Sequence, residues 1–306
     1  MRNETRGTVE LTLAMVLSGT LGVFVVESGA SPFEVVFFRC LFGAAALGLY
    51  SLARGFFTGH GFTGRKLGLA ALGGVFIVFN WVLLFEAYEA SSISLATVVY
   101  HTQPFFLVLL GAVLFRERIT AAKLGWLAVA FAGLVLVSGV RPGDTASLAG
   151  LGLALGAAVL YALSTLVTKR ITGVRPHLIA LVQVLTGLPL LLPFVDLGAT
   201  AGLGAGWAWL AGLGLIHTGL MYVLMYAAYA KLPTSKIAVL AFAYPAVAML
   251  VDWAVYGHHI GLVQALGVPL IVLAGLRVTL ARAAEPAPRT VARGPEAASP
   301  AATRAG

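Results

Sequence analysis

The sequence predicts an all-α integral membrane protein whose ten transmembrane helices form two inverted five-helix repeats. Three observations carry this: an apolar, charge-poor composition, a one-sided distribution of basic residues, and an internal repeat. Of the 306 residues, 59% are hydrophobic and 10% charged, whereas soluble domains carry about 25% charge. The chain holds 36 glycines. In such a context they fit closely packed membrane helices, since small residues let backbones approach where lipid supplies no hydrophobic drive.

Apolar runs of about 20 residues cross a hydrocarbon core roughly 30 Å thick. They fall at 7–27, 31–53, 65–87, 91–114, 121–140, 146–168, 176–196, 205–229, 234–256 and 260–281. The third and eighth are the candidates for a break or a tilt. Short Gly/Pro/Ser connections (SGASP, GVRPGD, KLPTS) separate the runs. The predicted units are 1–140, the first five-helix repeat, 141–282, the second, and 283–306, a Pro/Ala-rich cytoplasmic tail expected to be disordered. No cleavable signal peptide is expected, because the first apolar stretch is too long and lacks a small-residue cleavage site.

Placing the N-terminus in the cytoplasm puts 18 of the 20 basic residues in cytoplasmic segments. These include Arg54, Arg65 and Lys66, then Lys169, Arg170 and Arg175, and five arginines near the C-terminus. Only Arg141 falls in an outer loop, and Arg39 lies within a span. The alternation follows the positive-inside rule, and a missed helix would scramble it. Both termini are therefore cytoplasmic, in a multi-pass protein of the bacterial inner membrane. The net charge of +8 is a topology signal and not a nucleic-acid footprint.

The repeat has a spacing of 141 residues: SISLATVVYHTQPFFLVLLGAVLFRERI (92–119) lies over PTSKIAVLAFAYPAVAMLVDWAVYGHHI (233–260). Pro104 falls on Pro245, Val98 on Val239 and Ile119 on Ile260. An odd number of spans per half forces the halves into opposite orientations, a recurring plan of secondary transporters.

The paired pattern of small residues, a mid-helix proline, an apolar run and a polar turn resembles the drug/metabolite transporter superfamily, the EamA-type ten-helix carriers. The stretches 226–260 and 100–120 look like its branch of aromatic and other neutral amino-acid exporters. The resemblance covers residues 7–282. Many relatives carry Glu before the second proline and an acidic residue in the turn after it, where this chain has Tyr244 and His258. The resemblance implies a small-molecule carrier, with amino acids as substrate and the lipid bilayer as surroundings, a monomer sufficing.

Candidate site residues follow from polar groups placed inside spans. A helix proline removes an N–H, so Pro104 and Pro245 free the carbonyls of Tyr100 and Ala241, which must then face protein or a wet cavity. The two prolines are therefore candidate hinges. Tyr100, His101 and Gln103 flank the first and Tyr244 the second. Asn80 and Trp81 sit amid the third span, where an amide needs a partner on another helix or on substrate. In the eighth span Thr218, Tyr222, Tyr226 and Tyr229 form one stripe beside His217. The outer members read as packing or an interfacial belt, with Tyr229 anchoring at the cytoplasmic interface; His217 and Tyr222 read as cavity residues. A zwitterion needs donors, acceptors and, when bulky, an aromatic wall, and Asn80, Trp81, Tyr100, His101, Gln103, His217, Tyr222 and Tyr244 could supply all three.

Two charges inside spans stand out. Arg39 costs about 2.5–3.5 kcal/mol at a helix centre on insertion scales. It is read either as the partner of an outer-side carboxylate or as a ligand for a substrate carboxylate. Asp252 is read either as a proton-coupling group or as the buried partner of a cation. No cofactor or metal is expected. Cys40 is the single cysteine, GLGLALG (150–156) lacks the strand a dinucleotide loop needs, and His258 and His259 do not share a helix face. Without a Walker loop, ATP-driven transport by this chain alone is not expected, and no nucleophile–base spacing supports an intramembrane enzyme. Other metabolites or drugs remain the alternative cargo.

Overall fold

In lipid a backbone must satisfy its own hydrogen bonds, so apolar runs of this length fold as helices. The structure, a computed structural model, describes residues 2–115, 121–138, 145–232, 234–241, 243–259 and 261–284, and every regular element among them is helical. The GVRPGD turn with Arg141, and the predicted tail from residue 285 on, lie outside the described residues.

The helices are α1 (Arg2–Glu27), α2 (Pro32–Ala53), α3 (Gly64–Ala90), α4 (Ile93–Tyr100), α5 (Gln103–Phe115), α6 (Ala121–Ser138) and α7 (Thr145–Thr168). They continue as α8 (Pro176–Leu191), α9 (Leu197–Thr200), α10 (Gly206–Gly214), α11 (Met221–Tyr229), α12 (Thr234–Ala241), α13 (Ala243–Tyr256) and α14 (Leu262–Ala284). A π-helical turn, Leu215–Leu220, joins α10 to α11 without a break. Taking α4–α5, α10–α11 and α12–α13 as composite units and setting aside the one-turn α9 gives the ten predicted spans. Among the described residues, seven segments are long and apolar enough to cross a membrane and two more are shorter apolar helices. The third span is continuous, whereas the eighth carries the π turn. Several entries are capped as their sequences dictate: Ser31 and Glu34 form a capping box before Pro32, and Thr63 and Ser92 accept from the amides of Lys66 and Leu95.

Packing respects the repeat. Helix α3 lies on α7 as α10–α11 lies on α1; α4–α5 lies on α7 as α12–α13 lies on α1; α3 lies on α8 as α10 lies on α2. Three pairs are mates of each other: α2 with α8, α4 with α13, and α6 with α14. Exchanging each unit for its counterpart five places on turns these pairs into one another, as an inverted repeat requires. The halves are interleaved, each lying largely against the other. The GLGLALG stretch belongs to a packing face: Ala154 within it and Ala157 and Ala158 just after it are fully buried, where α7 meets α3. Large apolar side chains such as Leu49, Val113 and Leu262 point outward, at 67%, 76% and 82% exposure, the surface that lipid would cover.

Candidate functional site

The first helix proline does more than kink its span. Helix α4 ends at Tyr100, a turn follows at His101–Thr102, and α5 begins at Gln103. Helix α12 is described to Ala241 and α13 from Ala243, and residue 242 between them lies outside the described residues. Pro104 thus sits in the first turn of the second piece, where a missing N–H costs nothing. The fourth span is discontinuous there, a feature that marks the binding centre in many carriers.

Around this break and the Pro245 region the polar side chains converge. Asn80 is fully buried; its Nδ2 donates to the Ala157 carbonyl at 2.6 Å and its Oδ1 accepts from the Tyr100 hydroxyl at 3.3 Å. It therefore clamps α3 to α7 and holds Tyr100, which answers its need for a partner from within the protein. The Tyr100 ring stands edge-on to Tyr161 at 5.9 Å, and His101 lies 4.9 Å from the Tyr244 ring. His101 Nδ1 is 2.8 Å from the Thr97 carbonyl, and the Tyr244 and Tyr88 hydroxyls are 3.5 Å apart. Gln103 is half-buried, and its Oε1 has no hydrogen-bond partner among the described residues.

Arg39 enters this centre from α2. It is only 2% exposed, its Nε donates to Thr218 Oγ1 at 3.0 Å, and its guanidinium lies 3.9 Å from the centroid of the Trp81 ring and 5.9 Å from that of Phe85. The predicted ion pair with an outer-side carboxylate does not form: among the described residues no acid lies within 4.0 Å of Arg39. Thr218 is brought to it by close backbone approach. A Cβ on Gly43 would come 2.7 Å from Thr218 Cγ2, and one on Gly214 would collide with Phe42, so small residues set the α2–α10 spacing. Thr218 also lies in the π turn, a local irregularity frequent at functional sites. His217, in the same turn, points away from Arg39's partners: its Nε2 is 3.1 Å from Thr20 Oγ1 and its ring packs on Phe24 at 4.5 Å.

Two vestibules flank the centre. One, about 400 Å³, is lined by Tyr161, Ser164, Thr168, Lys169, Gln183, Tyr222, Tyr226 and Tyr229 among others. Tyr222, Tyr226 and Tyr229 of the stripe stand in its wall, with ring spacings of 5.8 and 6.3 Å. The second, about 600 Å³, opens at the opposite end between Tyr88, Glu89, Ser92, Asp252, Tyr256 and His258. Asp252 is fully buried beneath it. Its Oδ2 accepts from the Ser94 amide in the first turn of α4, and its Oδ1 accepts from His258 Nδ1, both at 3.0 Å. Of the two readings of Asp252, the geometry supplies a partner, His258, and adds a helix end.

Sequence reasoning named Trp81, Tyr100, His101, Tyr222 and Tyr244, which the structure gathers around the centre and its vestibules. It did not find Tyr88, Tyr161 or the pairing of Thr218 with Arg39. Thr218 had a signal, its place one turn before Tyr222 on the stripe. No group of three or more His, Cys, Asp or Glu side chains that could hold a metal occurs among the described residues.

A family model described as the EamA-like transporter family matches residues 6–139 and 148–280, once per half. An uncharacterized transporter of Bacillus subtilis (strain 168) is 34% identical over 92% of this chain and 91% of its own length. An uncharacterized transporter of Archaeoglobus fulgidus is 27% identical over 89% and 95%. A Salmonella typhimurium protein named "Probable amino-acid metabolite efflux pump" is 36% identical over 33% of this chain and 34% of its own. A protein of known crystal structure superposes with a TM-score of 0.63 at 20% identity, over 91% of this chain and 97% of that one, a likeness of fold.

Proposed function

Because the chain belongs to the EamA-like transporter family, a family of multi-pass membrane transporters and not of enzymes, we propose that it is a secondary carrier exporting amino acids, aromatic and other neutral ones. The membrane is the bacterial inner membrane, with the Lys169 end and both termini cytoplasmic, as the basic-residue count implies. The observation that carries this reading is the meeting of the broken fourth span with Tyr244 of the ninth at an aromatic and polar centre between two vestibules. Tyrosine rings and Trp81 offer a wall for a bulky side chain, and tyrosine hydroxyls and the Gln103 carbonyl offer acceptors for an ammonium group. The partial similarity to the Salmonella protein points the same way.

Alternating access is assigned to the two proline-bearing spans and not to rocking of residues 1–140 against 141–282. The halves are interleaved, so rigid rocking would have to pull apart α3–α7 and α6–α14. Bending at His101–Thr102, and beside Pro245 in the other half, opens one vestibule and closes the other while that packing stays.

The test is counterflow into liposomes holding the purified protein, with labelled phenylalanine and threonine and an unlabelled panel inside. Saturable, trans-stimulated uptake above empty liposomes is the expected result, and a pH gradient added to the same assay shows whether protons drive it. No uptake of any amino acid by folded protein would sink the amino-acid reading and turn the search to other metabolites and drugs.

A further inference from the structure

Arg39 is a buried cation whose donors are only partly used. Taking a charge out of water is expensive, and a structural arginine recovers the cost by an acid partner with its remaining N–H groups satisfied. Arg39 has neither. Nε is bonded to Thr218, but Nη1, equally inaccessible, has no hydrogen-bond partner, and no acid lies within 4.0 Å among the described residues. What the surroundings do supply is orientation. Thr218 fixes one edge of the guanidinium and the Trp81 face, 3.9 Å away, fixes its plane. A donor held in place, desolvated and unpaired is the arrangement that binds an anion with little ordering cost.

We propose that Arg39 binds the carboxylate of the transported solute, so that the carried class is small molecules bearing one carboxylate. The inference rests on the carrier reading above and narrows it. The route is marked by charge and aromatic surface: Lys169 stands in the wall of the 400 Å³ vestibule, and Tyr222 belongs both to that wall and to the electrostatic surroundings of Arg39, together with Tyr100 and Tyr244. Among the described residues no basic side chain other than Lys169 lines this vestibule. A single guanidinium balances one negative charge, which suits a carboxylate better than a phosphate dianion.

The test is thermal unfolding of the detergent-purified full chain in the presence of matched probes: phenylalanine, 3-phenylpropionate, phenylalaninamide, phenethylamine and inorganic phosphate. The wild type is expected to be stabilised by the two carboxylates and not by the amide, the amine or phosphate. In Arg39→Gln the apparent affinity for the carboxylates falls about ten- to a hundredfold, the factor a lost charge-assisted hydrogen bond carries. Its melting temperature without ligand does not fall, because relief of an unpaired buried charge offsets the lost Thr218 and Trp81 contacts and no acid is orphaned. Arg39→Lys, which keeps the charge without the fork, retains part of the affinity and serves as the readout should Arg39→Gln fail to fold. Equal stabilisation by phenylalanine and its amide, stabilisation by phosphate alone, an unchanged shift in the Arg39 variants, or no response of folded wild type to either carboxylate would overturn the proposal. Binding of 3-phenylpropionate without phenylalanine would leave Arg39 in its role and remove the amino-acid reading. Binding of the amine alone would do the reverse, keeping a carrier but not this anchor.

Discussion

Asp252 and Arg39 are both shut away from solvent, at 0% and 2% exposure, in spans that share one core, yet their surroundings differ in kind. Asp252 has each carboxylate oxygen occupied, one by the Ser94 amide and one by His258. Arg39 has one donor used, one buried donor idle and an indole face for a neighbour. Neither charge is repeated by the internal symmetry at its clearest register, where Gly111 stands opposite Asp252. Burial alone therefore does not identify a transport residue. A satisfied charge holds helices together; a buried charge with an idle donor holds a place for something else.

Substitutions can break or sharpen this contrast. The largest effect is expected at Arg39: Arg39→Gln should cut carboxylate uptake about ten- to a hundredfold without lowering the melting temperature, checked by uptake and unfolding on the same preparation. Asp252→Ala should act the other way. It orphans the Ser94 amide, which costs about 1–3 kcal/mol for a buried group, so the melting temperature falls while uptake per folded molecule changes little. An Asp252→Ala protein as stable as wild type would dissolve the distinction. Trp81 is only 6% exposed, and truncation to Ala would cost about 3–5 kcal/mol in packing. Trp81→Phe is the sharper probe: it keeps a ring under Arg39 but weakens a cation–π contact worth about 2 kcal/mol when desolvated, so uptake should fall several-fold with the fold intact. Thr218→Val, near-isosteric, should lower affinity by less, since Trp81 still orients the guanidinium. His258→Ala should cost least: half of the His258 side chain is exposed at 54%, and solvent screens its bond to Asp252.

The residues that were legible in the sequence are those whose physics is local. Apolar runs of bilayer length and Pro104 over Pro245 are properties of neighbours along the chain, and they located the helical units and the proline at which the fourth span is interrupted. Asn80 announced that it needs a partner, but the Ala157 carbonyl that supplies it lies on another helix, 77 residues away. The Arg39–Thr218 pair depends on the tertiary approach that Gly43 allows and on a π turn that no periodicity reveals. His258 looked idle beside His259 because its contact with Asp252 reaches back across the end of α13. The tyrosine stripe was visible as a stripe; only the packing of α7 and α8 against it made it a wall.

The most direct test of this division is a side-by-side measurement of phenylalanine uptake and thermal unfolding for Arg39→Gln and Asp252→Ala in the same lipid and detergent. The expected outcome is a stable, transport-defective Arg39 variant and a destabilised Asp252 variant whose folded fraction still transports. An Arg39 variant that unfolds early, together with an Asp252 variant that is stable and inactive, would contradict it.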